Sequence, residues 1–175
     1  ENEFWMDLPG CCDAKPDAFG DEHEVWFVGE RVYKLAYPNF YGLRVIYRPD
    51  GDPRCLPHEY FERWNLHNGI FGDQVEIVGA VDFTDGIRLV MVQEAVAGSP
   101  AEPAQIQTFF ESTGWKRFSA LGETAWFDPA RSVVVSDTHQ GNLILTPDGI
   151  LAPIDFRIQR VAGALKDAVL SLIHV

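Results

Sequence analysis

The chain of 175 residues is 46% hydrophobic and 13% aromatic, which is enough for one well-filled core or for two small lobes that share a cleft. Its formal charge of −12 argues against nucleic acid as a partner, because phosphate backbones are bound through clustered lysines and arginines. It shows neither the run of about 18 apolar residues of a membrane helix nor a signal sequence, so we expect a cytoplasmic protein without a membrane partner.

The first part of the chain has the composition of a loop. Residues 1–20 are rich in glycine and proline, which predicts an irregular segment with room for a short helix. The three cysteines, Cys11, Cys12 and Cys55, show neither a metal-ligand spacing nor an even disulfide framework. We therefore expect all three thiols to be reduced.

A β-hairpin is predicted over residues 24–36, where two runs of β-branched and aromatic residues flank a Gly-Glu pair. In the second run Val32, Lys34 and Ala36 share one face of the strand. A buried Lys34 would need a carboxylate or phosphate partner, because an unpaired buried ammonium group is costly. The alternative is an edge strand with Lys34 in solvent, and the residues alone leave both open.

A helix is predicted after a segment rich in turns. The prolines and glycines of residues 37–53 exclude a long helix there and leave room for a short strand at residues 43–47. Pro57 suits a first helical turn, apolar residues follow at 60, 61, 64 and 71, and Gly69 is a stop signal. We predict a helix over residues 57–68.

Residues 75–83 and 87–93 predict a second hairpin around a Thr-Asp-Gly turn. We expect the two hairpins to form one small antiparallel sheet. Residues 94–100 have the composition of a connector. A second helix is predicted over residues 102–113, which have a proline near the start and are followed by a glycine.

The pattern of residues 115–128 is mixed, and we expect a further short helix there. Four large aromatic residues in this segment are expected to lie in the core, since such side chains more often fill a core than bind a ligand. Residues 131–135 predict a strand, and residues 165–173 predict a helix.

A polar loop between two apolar runs carries Asp137 and Asn142, and Asp155 ends a third apolar run after a Pro-Asp-Gly turn. This arrangement predicts three oxygen-bearing side chains at one end of a hairpin. Phosphoryl transfer from a nucleotide needs such a group, with one carboxylate to orient the attacking hydroxyl and an amide and a second carboxylate to hold Mg²⁺. The alternative is a polar turn whose side chains cap backbone amides.

The loop resembles a known family. The residues from Asp137 to Asn142 read Asp-Thr-His-Gln-Gly-Asn, which is similar to the Asp-x-His-x-Gly-Asn of the aminoglycoside- and choline-phosphotransferase type, and Ile154-Asp-Phe156 is similar to its Ile-Asp-Phe. Within the protein-kinase-like superfamily, the small chain most resembles the compact Ser/Thr/Tyr kinase-like domain of polyvalent proteins from phages and mobile elements.

The resemblance implies one kinase-like domain of α+β class over residues 1–175. A small antiparallel sheet lobe with one helix would span residues 20–93, a hinge residues 94–100, and a reduced, mainly helical second lobe residues 101–175. The implied activity is a phosphotransferase that uses ATP and Mg²⁺, with a protein hydroxyl as the expected acceptor. The implied partners are therefore a nucleotide and a protein substrate or partner, whereas the oligomeric state is left open.

The resemblance also implies roles for the residues of the loop. Asp137 would orient the acceptor hydroxyl and accept its proton, and Asn142 and Asp155 would ligate Mg²⁺. His139 is expected to brace the loop through a hydrogen bond, because two positions after Asp137 it would lie on the other side of an extended segment.

Nucleotide-binding residues follow from the same resemblance. Lys34 follows an apolar strand much as the lysine of the kinase Val-Ala-Ile-Lys pattern does, and would neutralise phosphate charge. Glu62 on the predicted helix would hold Lys34 in place, with Glu59 as the second choice. Both glutamates could instead be surface carboxylates. Backbone groups from Glu94 to Val96 would meet the adenine edge, or these residues could form an ordinary linker.

Several departures keep other functions open. Gly10–Gly20 does not match the Gly-x-Gly-x-x-Gly expected over the phosphates, Val135 and Ser136 replace the usual His-Gly or His-Arg, and Arg157 replaces the Gly of Asp-Phe-Gly. Twenty residues follow Asp155, so we expect a minimal kinase or part of a larger chain. The alternatives are a catalytically inactive, pseudokinase-like module, a small-molecule phosphotransferase of aminoglycoside type, and an α+β scaffold unrelated to kinases.

Overall fold

The computed structural model describes residues 5–173, which form an α+β fold as predicted. The helices are α1 (Pro57–Phe71), α2 (Pro103–Ser112) and α3 (Gly163–Ile173). The strands are β1 (Ala18–Phe19), β2 (His23–Val28), β3 (Arg31–Ala36), β4 (Glu76–Phe83), β5 (Gly86–Glu94), β6 (Ser99–Pro100), β7 (Lys116–Ala120), β8 (Glu123–Asp128), β9 (Val133–Ser136), β10 (Leu143–Leu145), β11 (Leu151–Pro153) and β12 (Arg157–Arg160). Short 3-10 helices span Gly10–Asp13 and Gln140–Asn142. No helix in this described range is long and apolar enough to cross a membrane.

The chain forms two compact units. The first contains the chain up to Leu43 together with Arg54–Asn68 and Gly72–Ala95. The second contains Arg44–Pro53, Gly69–Phe71 and the chain from Val96 onward. The chain passes from the first unit to the second for the last time between Ala95 and Val96, inside the connector predicted for residues 94–100.

The first unit is built on an antiparallel sheet with the strand order β1-β2-β3-β5-β4. Both predicted hairpins are confirmed, since β2 pairs with β3 and β4 pairs with β5. Lys34 lies opposite Val25 of β2 and Met91 of β5, so it belongs to an interior strand. Its side chain is only 5% exposed, which makes the solvated edge-strand alternative wrong.

The predicted helix is confirmed as α1, but it continues through Gly69, the predicted stop signal, to Phe71. Its two ends have local causes. The backbone N–H of Leu56 donates to Glu59 Oε2 at 2.7 Å, which caps the start. The helix ends at Gly72, where φ is 73° and a residue with a Cβ would be strained. The buried residues of α1 are Tyr60, Arg63, Trp64 and His67, so its inner face is half polar.

A buried ion pair anchors α1 to the turn between β1 and β2. Arg63 Nη1 donates to Glu22 Oε2, and the two side chains are 2% and 6% exposed. Glu22 Oε1 accepts a second hydrogen bond, at 3.0 Å, from the backbone N–H of Leu43. Such a pair is tolerated in a core because each charge has a close partner.

The second unit contains two antiparallel sheets, with the strand orders β12-β9-β8-β7 and β11-β10-β6. The prediction of a mainly helical second lobe is therefore wrong, because strands make up at least as much of this unit as α2 and α3 do. The two helices predicted over residues 102–113 and 165–173 are nevertheless confirmed.

The short helix expected in residues 115–128 is also wrong, since β7 and β8 form a hairpin there. In the turn of this hairpin Leu121 has φ of 55°, a left-handed conformation that leucine rarely adopts. A leucine is not a turn residue, so the sequence before Gly122 does not predict a turn. All residues from Ala125 to Asp128 are buried, which hides the alternation expected of a strand. The four aromatic residues do lie in the core, as expected: Trp115, Phe118, Trp126 and Phe127.

The strand predicted at residues 43–47 is absent from the described structure. Leu43 forms only an isolated bridge with Arg54. The backbone N–H of Arg44 donates to the Pro53 carbonyl at 2.8 Å, and that of Ile46 donates to the side chain of Gln159 at 2.9 Å. These separate hydrogen bonds, to a neighbouring loop and to a distant side chain, take the place of a strand ladder.

The four-stranded sheet of the second unit has two different faces. On one, Phe118 and Ala120 of β7 and Ala125 and Phe127 of β8 pack in a core with Val169 of α3. On the other face lie two cross-strand pairs, Arg117 opposite Trp126 and Ser119 opposite Thr124. Successive residues of a strand point to opposite faces, so the hairpin separates the residues packed against α3 from this second face, on which Trp126 is buried and the other three residues are exposed.

The three-stranded sheet holds the segment that follows the polar loop. β10 pairs with β11 and also with β6, which occupies the last two residues of the predicted connector. A Cβ on Gly98 would lie 2.3 Å from the carbonyl oxygen of Leu145. Only glycine lets β6 approach β10 this closely.

Candidate functional site

Strand β9 leads directly into the polar loop predicted to carry the chemistry. Val133, Val134 and Val135 are fully buried, and the loop begins at Asp137. The backbone of Asp137 is left-handed, with φ of 61°, a region that aspartate tolerates better than most residues. The buried strand thus fixes where the loop starts, and this conformation turns the chain at the residue predicted to orient the acceptor.

Asn142 ties the loop to the residue after β11. Its side-chain Nδ2 donates to the backbone carbonyl of Asp137 at 2.9 Å and to that of Asp155 at 3.4 Å. The backbone carbonyl of Asn142 in turn accepts from the N–H of Ile154 at 3.0 Å. The structure therefore brings the side chain of Asn142 to the backbones of Asp137 and Asp155, while the grouping of their three side chains around a metal stays a prediction.

Two basic side chains approach the carboxylate of Asp137. His139 Nε2 lies 3.4 Å from Asp137 Oδ1, and Arg157 Nε lies 3.6 Å from Asp137 Oδ2. His139 also accepts a hydrogen bond at Nδ1 from the backbone N–H of Gly141, at 3.0 Å. His139 therefore braces the loop by a hydrogen bond, as predicted. The expectation that it lies on the other side from Asp137 is wrong, because residues two positions apart in an extended segment point to the same side.

Asn142 and Asp155 offer the oxygen ligands that Mg²⁺ prefers. Because Asn142 Nδ2 faces two backbone carbonyls, the amide oxygen on the other side of the group is directed away from them. Within residues 5–173 no three His, Cys, Asp or Glu side chains are grouped to hold a metal ion. Mg²⁺ in nucleotide sites usually takes one or two protein ligands and completes its shell with phosphate oxygens and water, so this pair fits.

Asp155 is placed by its buried neighbour. Phe156 is fully buried, and its ring lies 5.7 Å from that of Phe110 and 5.4 Å from that of Phe71, measured between ring centroids. The aromatic residue of the Asp-Phe pair thus anchors the segment in the core of the second unit. Asp155 itself is only partly buried.

In the first unit, Lys34 packs on the helix predicted to hold it. Its Nζ lies 5.4 Å from the centroid of the Trp64 ring on α1, within the range of a cation–π contact. Glu62 is exposed and, two residues before Trp64, projects from a different side of the helix. Glu59 caps the start of α1. Pairing of Lys34 with Glu62 stays a prediction.

The residues expected to meet adenine lie where β5 ends. Glu94 is the last residue of β5, and the backbone N–H of the next residue, Ala95, donates to the Glu30 carbonyl at 2.8 Å. Val96 is the first residue of the second unit after this passage. Their contact with a nucleotide also stays a prediction.

Two residues near the loop were missed by the sequence analysis. Arg157 was noted only as a departure from Asp-Phe-Gly, but β12 pairs it with Ser136, which places it beside Asp137. Trp126 was assigned to the core alone, yet its Nε1 donates to Thr138 Oγ1 at 3.3 Å. Both residues reach the loop because their strands pair with β9, and the residue pattern within one segment does not show such pairing.

Comparison with known proteins adds one finding. A sequence model of the family described as Serine/Threonine/Tyrosine Kinase found in polyvalent proteins matches residues 18–160. This range includes Lys34 and the whole segment from Asp137 to Asp155. Neither the curated proteins nor the solved structures gave a match.

Proposed function

The chain belongs to the family of serine/threonine/tyrosine kinases found in polyvalent proteins, and we propose that it transfers the γ-phosphoryl group of Mg²⁺-ATP to a protein hydroxyl. One observation carries the proposal. A single side-chain amide, that of Asn142, holds the backbone of Asp137 and the backbone of Asp155 within hydrogen-bond reach. Phosphoryl transfer depends mainly on positioning and charge stabilisation, so a fixed arrangement of these residues is what the reaction needs.

In the proposed reaction, the acceptor oxygen forms a bond to the γ-phosphorus, and the bond from that phosphorus to the β,γ-bridging oxygen breaks. ADP leaves with the electron pair of the broken bond, and the acceptor proton passes to the Asp137 carboxylate. Arg157, 3.6 Å from Asp137 Oδ2, helps to keep that carboxylate oriented. Asp137 is thus the residue that contacts the acceptor.

Other residues would bind the nucleotide. Asn142 and Asp155 would hold Mg²⁺, which neutralises charge on the phosphates. Lys34 would add a positive charge to the phosphates, with Glu62 holding its ammonium group. The backbone from Glu94 to Val96 would contact adenine.

A thermal shift with Mg²⁺-ATP tests the binding step. A ligand that binds only the folded state stabilises it by about 2.7 kcal/mol at a hundredfold excess over Kd. We expect this shift to be lost in Asp155→Asn, because a metal ligand is removed, and kept in Asp137→Asn. Transfer of radiolabelled phosphate to a protein acceptor should be lost in both variants. An unchanged Mg²⁺-ATP shift in Asp155→Asn would contradict the role given to Asp155.

A second candidate, the inactive pseudokinase-like module, is favoured by the turn between β1 and β2. This turn contains Asp21 and Glu22 instead of a glycine-rich sequence, and Glu22 is bound to Arg63. Carboxylates near phosphates would oppose nucleotide binding. Absence of any nucleotide-induced shift in the wild type would select this candidate.

A further inference from the structure

A cavity of about 540 Å³ lies within the second unit, beside the polar loop. Its walls come from three segments: the start of α2 with Ile106, the outer face of the β7–β8 hairpin, and the loop residues 138–141. This volume lies in the usual range of ligand sites, about 300–1,000 Å³. The cavity is thus large enough to bind a few residues of a polypeptide.

The hairpin supplies the wall that faces the loop. Arg117, Thr124 and Trp126 line the cavity from the face of the sheet opposite the α3 core. Trp126 forms an apolar base, because it is 2% exposed and stacks on Phe110 with ring centroids 4.8 Å apart. The wall is therefore apolar at its base and polar at its rim.

The cavity adjoins the carboxylate that would meet the acceptor. His139 lines the cavity, and its Nε2 lies 3.4 Å from Asp137 Oδ1. The neighbouring Thr138 also lines it and is held by the hydrogen bond from Trp126. The cavity is thus lined by the two residues that follow Asp137, one of which contacts its carboxylate.

The charge of the lining is the reverse of the charge of the chain. Although the chain carries a formal charge of −12, none of the side chains that line this cavity, all within the described residues, is a carboxylate. Arg117 is exposed, and within residues 5–173 its guanidinium meets the hydroxyl of Thr124 at 3.3 Å and no carboxylate. A ligand with an acidic group would complement this cation, which can still bind a carboxylate through paired N–H groups.

We propose that this cavity binds the protein acceptor, and that Arg117 selects segments with an acidic residue close to the acceptor hydroxyl. The proposal rests on the proposed function for the identity of the acceptor, because in that function the acceptor hydroxyl contacts Asp137. Ile106 and Trp126 would contact apolar parts of the segment, and Arg117 would bind the carboxylate. Arg117 is thus a specificity-determining residue.

Binding of labelled peptides tests the proposal without turnover. The probes are fluorescein-labelled nonapeptides with a central Ser, Thr or Tyr flanked by Glu in one set and by Lys in the other, measured by fluorescence anisotropy. We expect the Glu set to bind about tenfold more tightly, a typical effect of one charge-assisted contact. Arg117→Glu should abolish this preference, and Arg117→Lys should keep part of it.

Lys116→Glu is the matched control. It makes the same change of charge one position earlier on β7, where the side chain points to the other face, so the preference for Glu peptides should persist. The proposal is overturned if wild type shows no such preference, or if Lys116→Glu and Arg117→Glu act equally. Competition by a polycationic aminoglycoside would overturn it too, because Arg117 repels a cation.

The two proposals fail separately. If Mg²⁺-ATP gives no thermal shift but Glu peptides bind through Arg117, the phosphotransferase proposal fails and the cavity assignment stands. If phosphate transfer to protein occurs and Glu peptides are not preferred, only the cavity assignment fails.

Discussion

Asn142 has two separable roles, as a donor within the protein and as a proposed ligand of the metal. Asn142→Asp keeps an oxygen ligand but turns the donor toward Asp137 and Asp155 into an acceptor that faces two carbonyl oxygens. We expect the free energy of unfolding without nucleotide to fall by about 1–3 kcal/mol, the usual cost of leaving such groups unsatisfied. Denaturant titration measures it.

The control for this change is the same substitution on a surface. Asn65 is exposed on α1, and Asn65→Asp should alter the free energy of unfolding by no more than about 0.5 kcal/mol. Equal effects of the two substitutions would show that the Asn142 hydrogen bonds do not hold the loop.

The buried thiol of Cys12 has a raised pKa. Burial, a hydrogen bond with the Cys11 thiol and the charges of Cys11 and Asp13 raise the pKa of Cys12 from 9.0 to about 12, against the opposing effect of Arg88. The thiolate is the reactive form, and Cys12 is buried whereas Cys11 and Cys55 are only partly buried, so Cys12 should react with an aromatic disulfide reagent at pH 8 more slowly than either of them. Variants with a single cysteine give the three rates.

The raised pKa of Cys12 also sets the sign of a pH effect. Between pH 9 and 12 the unfolded chain loses the Cys12 proton while the folded chain keeps it, so folding stability falls as pH rises through this window. Below pH 9 the Cys12 thiol is protonated in both states, so its contribution to folding stability is fully present. Cys12→Ser should make the loss of stability between pH 9 and 12 shallower in denaturant titrations, and an unchanged slope would contradict the assignment.

At the scale of elements, the attachment of α1 to the turn between β1 and β2 rests on a buried ion pair. Arg63→Met leaves the buried carboxylate of Glu22 without its main cation. We expect the free energy of unfolding to fall by about 3–5 kcal/mol, the range for removing one partner of a buried pair. Thermal or denaturant unfolding measures the loss.

A surface pair provides the comparison for Arg63→Met. Arg48 Nη1 lies 3.8 Å from Asp52 Oδ2, and the two side chains are 23% and 28% exposed. Arg48→Met should therefore lower the free energy of unfolding by no more than about 1 kcal/mol. Replacing Glu22 and Arg63 together by apolar residues should recover part of the loss, because no charge is then left buried. If the double variant is as unstable as Arg63→Met, packing and not charge explains the effect.

For the whole molecule, sequence patterns predicted the elements that carry strong local signals. The two hairpins of the first unit have alternating or β-branched runs with glycine turns, and α1 begins at a proline and ends near a glycine. The loop from Asp137 to Asn142 and the position of Asp155 were also predictable, because apolar runs flank the loop and a Pro-Asp-Gly turn precedes the run that ends at Asp155. Local signals were sufficient wherever one short segment decides the structure.

The remaining features depend on segments far apart in the chain. The turn of the β7–β8 hairpin uses a leucine with positive φ, against its intrinsic preference. Arg63 finds its partner Glu22 41 positions earlier, so neither residue reveals its burial alone. The cavity beside Asp137 draws on α2, the hairpin and the loop, and Arg117 has no local sequence signal that marks it as part of a site.

The two-faced hairpin β7–β8 has a consequence for altering what the protein recognises. Phe118, Ala125 and Phe127 point into the core, whereas Arg117, Ser119 and Thr124 project from the opposite face. Randomising the second set in a library leaves the first set intact, and exposed positions usually tolerate substitution within about 0.5 kcal/mol. New acceptor preferences could therefore be selected from this hairpin at little cost in folding.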